Sequence, residues 1–397
     1  MRLDAAFAAR LNGAGPVGVA VSGGGDSLAL LCLLAAWGRR PLHVFCVDHG
    51  IHPDSAMWTR RVGAAATRLG ADFTALQWTG AKPATGLAAA AREARHRLLA
   101  EAARAAGCRV LCLGHTADDV LEARVMRAAG SNVGAPRAWA PSPVWPEGRG
   151  LFLFRPLLDV RRAALRDWLM ARGVDWIDDP ANASAASLRA RARRDLAGGG
   201  EAAPPEAAPG LPDGLLVEDD LDAFGVLRFD AARLAERAPD DAARLLAAAA
   251  VCAGGGDRLP RRAQAGQALA GLATGARILC GARLWRRDGL IWIAREAGDL
   301  RRHPPRIHAE AGMQVWDGRF ELAAGLRVSA SAEARAALSE AERRRLLRLP
   351  APVRGALPVV DSALAPSACW VTPRFKAAAG AFATERDLAA VPKRTGA

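Results

Sequence analysis

The sequence predicts an α/β chain, with a doubly wound, mostly parallel sheet in its first half and a smaller mixed α/β or α+β region in its second. Three observations predict it. Over residues 1–180 short apolar runs alternate with alanine-rich amphipathic segments, the pattern of parallel strands joined by crossover helices. A turn of three consecutive glycines, Gly23 to Gly25, joins the first run to the first such helix. Acids and histidines follow directly on the strand-like runs, at the carboxyl edge where open α/β sheets bind ligands.

Taken in order, residues 17–22, 42–48, 72–78 and 109–114 read as strands, and 28–37, 56–69 and 87–106 as the helices between them. Residues 130–149 are rich in Pro, Gly and Trp without periodicity and read as a long loop, followed by a helix over 161–172. Residues 197–214, dense in Gly, Pro and Ala, read as a linker. The expected division is therefore a first domain over 1–196, that linker, and a region over 215–397 with room for two small subdomains. Within that region 231–252 and 262–273 read as helices, and 278–293 as a strand pair turning at Asp288-Gly289.

A net charge of +13 points to a polyanionic partner, nucleic acid above all. Only Lys82, Lys376 and Lys393 among the 54 basic residues are lysine, and tyrosine is absent, as a GC-rich coding bias would produce. The seven cysteines are scattered. Cys108 and Cys112 form a lone C-x3-C in a strand-like run, lack two further ligands, and read as core. With no membrane-spanning run and no secretory segment, a reducing cytoplasm is the expected compartment.

The first strand ends in Ser22-Gly23-Gly24-Gly25-Asp26-Ser27. Without Cβ atoms the backbone turns sharply, and the N–H groups of residues 24–27 face outward at the positive end of a helix, an arrangement that holds pyrophosphate. Ser22 and Ser27 add hydroxyl donors, and Asp26 adds a carboxylate for Mg²⁺. A serine-capped strand-to-helix turn is the simpler alternative. The spacing matches neither the dinucleotide fingerprint nor the Gly-Lys-Ser/Thr phosphate loop. The second strand ends in Asp48-His49, a pair suited to touching nucleotide or substrate, or merely to capping a turn. After the fourth strand, His115 precedes Asp118, Asp119 and Glu122, three carboxylates crowded on one side of a helix start. The helix dipole favours acids there, and so does a site for Mg²⁺ or a cationic substrate.

Residues 22–27 resemble the Ser-Gly-Gly-x-Asp-Ser signature of the PP-loop ATP pyrophosphatases. Within that superfamily the resemblance narrows. Residues 22–27, Asp48-His49-Gly50, residues 91–96, residues 114–122, Arg155-Pro156-Leu157-Leu158 and residues 176–182 follow the order found in tRNA(Ile)-lysidine synthetases. The resemblance covers about residues 15–195. It implies use of ATP, Mg²⁺ and free L-lysine to convert the wobble cytidine of an isoleucine tRNA with anticodon CAU into lysidine, through an adenylated cytidine. It places Ser22, Gly23, Gly24, Asp26 and Ser27 at the pyrophosphate and Mg²⁺, and His115, Asp119 and Glu122 at the reaction centre; Gly25, Asp48 and His49 join the nucleotide side by their place in the turn and at the strand end. Arg95 falls where the family has an arginine supporting the adenylated intermediate, and Asp118 joins the substrate-facing acids. Arg189 and Arg193 roughly fit its tRNA-facing arginines, with Ala190 in place of an asparagine and a solvated helix face as the alternative. His96 stands where the family commonly has tyrosine.

Trp139, Trp145, Arg137 and Arg149 of the long loop suit either RNA stacking or closure of the domain. Two rivals remain at this point: a tRNA thiolase of the same superfamily, which would normally carry Cys-x-x-Cys pairs, and a non-catalytic RNA-binding relative. The sequence leaves monomer and homodimer open.

Overall fold

The computed structural model describes residues 5–80, 82–131, 134–178, 192, 210–310, 312–365 and 368–390. The chain divides into two units, Met1–Ala208 with Ala383–Leu388, and Pro209–Phe382 with Ala389–Ala397. Of the expected linker, residues 197–209 lie outside the described residues.

In chain order the first unit comprises α1 (Ala5–Arg10), β1 (Val17–Ala20), α2 (Gly25–Trp37), β2 (Leu42–Asp48), α3 (Ser55–Arg68), β3 (Asp72–Gln77) and α4 (Leu87–Ala105). It continues with β4 (Val110–Leu113), α5 (Ala117–Ala128), β5 (Trp139–Pro141), β6 (Phe152–Phe154) and α6 (Arg162–Met170). The strands form one sheet in the order β3-β2-β1-β4-β6-β5, all parallel except the antiparallel edge strand β5. The expected α/β doubly wound class is the observed one. The chain steps from β1 to β2 on one side and reaches β4 on the other, so the crevice at their carboxyl ends is a topological switch point.

The central strands are continuous apolar runs because helices cover both faces. Val17, Val19, Val110, Leu111 and Cys112 are all buried. Helix α2 carries Leu28, Leu30, Leu31 and Leu34 inside and ends at left-handed Gly38, whose N–H donates to the Leu34 carbonyl. Residues 383–388 return to this unit, where Glu385 pairs with Arg40 in a buried ion pair and accepts a hydrogen bond from the Gly13 N–H at 3.2 Å.

The loop expected over 130–149 contains β5, which pairs with β6 through Trp139↔Phe154. Each strand has three residues, too few to show a period. Trp139 is buried against Phe152 and Phe154, with ring centroids 5.2 and 5.8 Å apart, and Arg149 is buried too. Both residues belong to the closure of the domain.

The second unit is α+β. A four-stranded antiparallel sheet, β7 (Leu227–Asp230), β10 (Leu290–Arg295), β9 (Ala282–Arg287) and β8 (Arg277–Leu279), packs its Leu227, Phe229, Leu284 and Ile291 with Leu245 and Leu246 of the helix Pro239–Gly254 and with Phe375. The helix expected over 231–252 breaks before Pro239, which begins a new helix because proline lacks the N–H an interior position needs. Two further three-stranded antiparallel sheets follow: β11 (Ile307–Glu310), β12 (Met313–Trp316) and β13 (Phe320–Ala323), then β14 (Ser329–Ala330), β15 (Pro358–Val360) and β16 (Ala363–Leu364). Buried Asp317 bridges Arg295 and Arg319 at 2.9 and 2.8 Å. Among the described residues no helix is long and apolar enough to cross a membrane.

Candidate active site

The glycine turn after β1 is closed by its own serines. Ser27 Oγ donates to the Gly24 carbonyl at 2.9 Å and accepts from the Ser22 N–H at 3.2 Å, and the two hydroxyls lie 3.3 Å apart. Gly23 has φ +89°, and a Cβ there would meet Ile177 Cδ1 at 2.5 Å. The Gly23 carbonyl accepts from the Ile177 N–H at 2.9 Å, and Trp176 packs over Gly25, so residues 176–177 strap the turn. On its other side Gly114 comes so close that a Cβ would meet Ser27 Cα at 2.9 Å and the Asp26 carbonyl carbon at 3.0 Å. The turn is thus clamped between the end of β4 and this strap.

Asp26 points from the first turn of α2 toward the acids of α5, and Arg162 stands between them. Its Nε donates to Asp26 Oδ2 at 2.8 Å, its Nη1 lies 3.3 Å from Glu122 Oε1, and its Nη2 lies 3.7 Å from Asp119 Oδ2. Asp119 also accepts from the Thr116 N–H and hydroxyl at 2.8 and 3.0 Å, so it caps α5 as well. Asp118 accepts from the Arg162 backbone N–H at 2.7 Å and pairs with Arg161 at 3.1 Å, which caps α6. Glu122 is almost fully buried. Burial holds the Asp26 carboxyl above its usual range, with Asp119 adding to the shift and Arg162 opposing it. Burial works against the charged Arg162, but Asp26 above all, then Asp119 and Glu122, hold its pKa above the ordinary value.

His115, on the β4–α5 turn, accepts at Nδ1 from Arg155 Nε at 3.2 Å. Arg155 follows β6 and is buried, which lowers its pKa to about 10, helped by Arg92, Arg137 and Arg95. Arg95 on α4 lies within electrostatic reach of His49, His96 and Arg155. At the end of β2, Asp48 accepts from the Gly50 N–H at 2.7 Å, the geometry of a capped turn, while His49 sets its ring edge-on to Trp78 at 6.1 Å. Burial, then Arg95, lowers the His49 pKa.

One face of the sheet edge therefore gathers the glycine turn, Asp26, His115, Asp118, Asp119 and Glu122. Arg189 and Arg193 lie outside the described residues. Among the described residues no group of three or more His, Cys, Asp or Glu side chains is arranged to hold a metal ion. A phosphate-bound Mg²⁺ takes only one or two protein carboxylates. Asp26 Oδ1, buried and with no hydrogen-bond partner, fits that need. Cys108 and Cys112 are free and buried, as the reading of this pair as core requires.

The PP-loop domain family matches residues 2–198. A tRNA(Ile)-lysidine synthase from Caulobacter vibrioides is 45% identical over 378 residues, 91% of this chain and 89% of that protein. The chain belongs to the tRNA(Ile)-lysidine synthase family. A second such synthase, from Rhizobium meliloti, is 36% identical over 334 residues, covering 77% of this chain and 72% of that one. Among solved structures a U34-tRNA thiolase from Methanococcus maripaludis aligns over 49% of this chain and 69% of its own, with 18% identity and a TM-score of 0.41. Membership makes this a PP-loop ligase of tRNA modification and removes the thiolase as a rival.

Sequence reasoning left Arg162 as one residue of a helix, yet it is the cation that joins Asp26, Asp119 and Glu122 in this synthase-family chain. Its signal was present. Two arginines at the start of a helix oppose the dipole, which favours acids there, so Arg161-Arg162 called for carboxylate partners elsewhere in the fold. The strap was visible only as a family landmark, because its contact with Gly23 joins residues 154 apart in the chain.

Proposed function

We propose that the chain ligates lysine to C2 of the wobble cytidine of an isoleucine tRNA with anticodon CAU, releasing AMP and pyrophosphate. The observation that carries this reading is the joining of Asp26 of the glycine turn to Asp119 and Glu122 across one guanidinium. A phosphate-binding turn and an amine-binding acid pair are thereby held as one site.

Cytidine O2 is a poor leaving group. In the first step O2 bonds to the α-phosphorus of ATP and the bond to pyrophosphate breaks. In the second the lysine ε-amine bonds to C2, and AMP departs with the former O2. The N–H groups of residues 24–27 and the α2 dipole take up charge on the departing pyrophosphate. Asp26 would hold Mg²⁺ through Oδ1, and the ion would neutralise phosphate charge there. Asp119 and Glu122 receive the ammonium groups of lysine, and a carboxylate of this cluster takes the proton the attacking amine sheds. Arg95 supports the adenylated cytidine. Asp48 and His49 border the nucleotide. Residues 1–196 carry the chemistry, while Arg189, Arg193 and the basic region over 215–397 bind tRNA phosphates. A cytoplasmic setting follows from these substrates.

The test is incorporation of labelled lysine into an unmodified isoleucine tRNA transcript with anticodon CAU, with methionine tRNA as control. ATP-dependent labelling of the isoleucine tRNA alone is expected, and Asp26→Asn should cut it by ~100-fold or more. ATP cleavage to AMP without lysine incorporation would overturn the choice of nucleophile.

A further inference from the structure

The Arg155-Pro156-Leu157-Leu158 motif has no part in the chemistry described so far, yet its arginine touches the reaction centre. Cys112 of β4 pairs with Phe154 of the parallel strand β6, so the residues that follow, His115 and Arg155, emerge together at the carboxyl edge. Arg155 is anchored from three directions. Its backbone N–H donates to the Ala138 carbonyl at 2.8 Å, its Nη1 donates to the Arg137 carbonyl at 2.8 Å, and its Nε donates to His115 Nδ1 at 3.2 Å. The first two acceptors exist because β5 pairs with β6, which explains why this short edge strand matters to the site.

A guanidinium cannot accept a proton, so the ring atom facing it must be the bare nitrogen of a neutral imidazole. The remaining proton then sits on Nε2. Among the described residues the charges that act most on Arg155 are the cations Arg92 and Arg95 on α4 and Arg137 of the loop, with the Asp119 carboxylate on α5 opposing them, and His96 on α4 is a neighbouring base.

We propose that Arg155 is a positioning residue that fixes His115 in the Nε2–H tautomer, making this histidine a hydrogen-bond donor to anionic oxygen at the reaction centre and leaving base duty to a carboxylate. The tautomer stands on geometry alone, whereas the donor role rests on the ligation chemistry proposed above. That chemistry supplies fitting acceptors, since phosphate oxygens gain charge when pyrophosphate and then AMP depart.

Two measurements separate these levels. Long-range ¹H–¹⁵N NMR of the ligand-free chain, with His115 assigned by loss of its signals in His115→Gln, reads the ring tautomer at pH 7.5. A single Nε2–H form is expected in the wild type, and Arg155→Met should turn it into a mixture of both tautomers. An Nδ1–H form in the wild type, or an unchanged tautomer in Arg155→Met, overturns the proposal without reference to activity. Kinetics test the donor role. Arg155→Met should lower kcat by about 10- to 100-fold, the range seen when the hydrogen-bond partner that orients a metal-bound histidine is lost, with KM for ATP within about twofold. Arg155→Lys, which keeps a charge but not the rigid fork, should recover only part of kcat. An unchanged kcat beside an altered tautomer would refute the donor role, and a wild-type chain with the expected tautomer but no lysine transfer would fault the reaction instead.

Discussion

His96 makes the first unit sensitive to acid, and the size of the effect follows from its surroundings. It lies on α4, 6% exposed, and its Nε2 has no hydrogen-bond partner. Burial first, then Arg95, Arg92, Arg155 and His115, push its pKa down to about 3. In the unfolded chain the ring takes a proton below about pH 6.5, whereas in the folded chain it stays neutral until about pH 3. The unfolded state therefore binds more protons throughout that window. Stability is unaffected by His96 above it and is lost progressively as pH falls from 6.5 toward 3. Between pH 7 and pH 5 the loss comes to about 2 kcal/mol. Any folded-state value below about 4 gives nearly the same figure at pH 5, because the unfolded chain's titration then sets the difference.

The variant to compare is His96→Leu, close in volume and without a titrating ring. Its absolute stability includes a packing change of up to ~1.5 kcal/mol, so the informative quantity is the change with pH, in which that term cancels. Hydrogen–deuterium exchange of peptides from β1, β2 and α4 across a urea series isolates the first unit from the second. The wild type should lose about 2 kcal/mol more than the variant between pH 7 and pH 5. Equal losses would show that the folded chain protonates His96 without cost, and the reasoning from its burial and four basic neighbours would fail.

Three further perturbations probe the frame of the site. Gly114→Ala drives a Cβ into the backbone of Asp26 and Ser27 and should cost ~1–3 kcal/mol while weakening ATP binding, read by thermal melts and by nucleotide titration; unchanged affinity would mean the glycine turn tolerates displacement. Arg162→Ala removes the cation beside buried Glu122 and should destabilise the first unit by about 3–5 kcal/mol, with Arg162→Lys recovering only part because one ammonium cannot span three carboxylates; wild-type stability in the alanine variant would sink this. Glu385→Ala strips buried Arg40 of its carboxylate and should cost a similar ~3–5 kcal/mol, measured by the same exchange experiment, whereas a loss below 1 kcal/mol would place that pair in effective solvent contact.

The parts of this molecule that could be read from the sequence are those whose physics is local. The buried runs of β1 and β4, the glycine turn between β1 and α2, and the acids at the start of α5 all declare themselves within a few residues. The candidate site was legible as a set of strand-end residues for the same reason, since the edge of a parallel sheet collects whatever follows each strand. What escaped depends on pairings across the fold. Strand β5 is defined by its partner β6 and not by any period of its own, and Asp48 turned toward the Gly50 N–H, a choice the residue types alone left open. Arg162 lies 136 residues from Asp26 and 40 from Glu122, and only the sheet order brings the three together. The clue that survives in sequence is an energetic conflict. An arginine pair at a helix N-terminus costs free energy where it stands, so it persists where distant carboxylates repay that cost, and such conflicts mark where a fold has assembled a site.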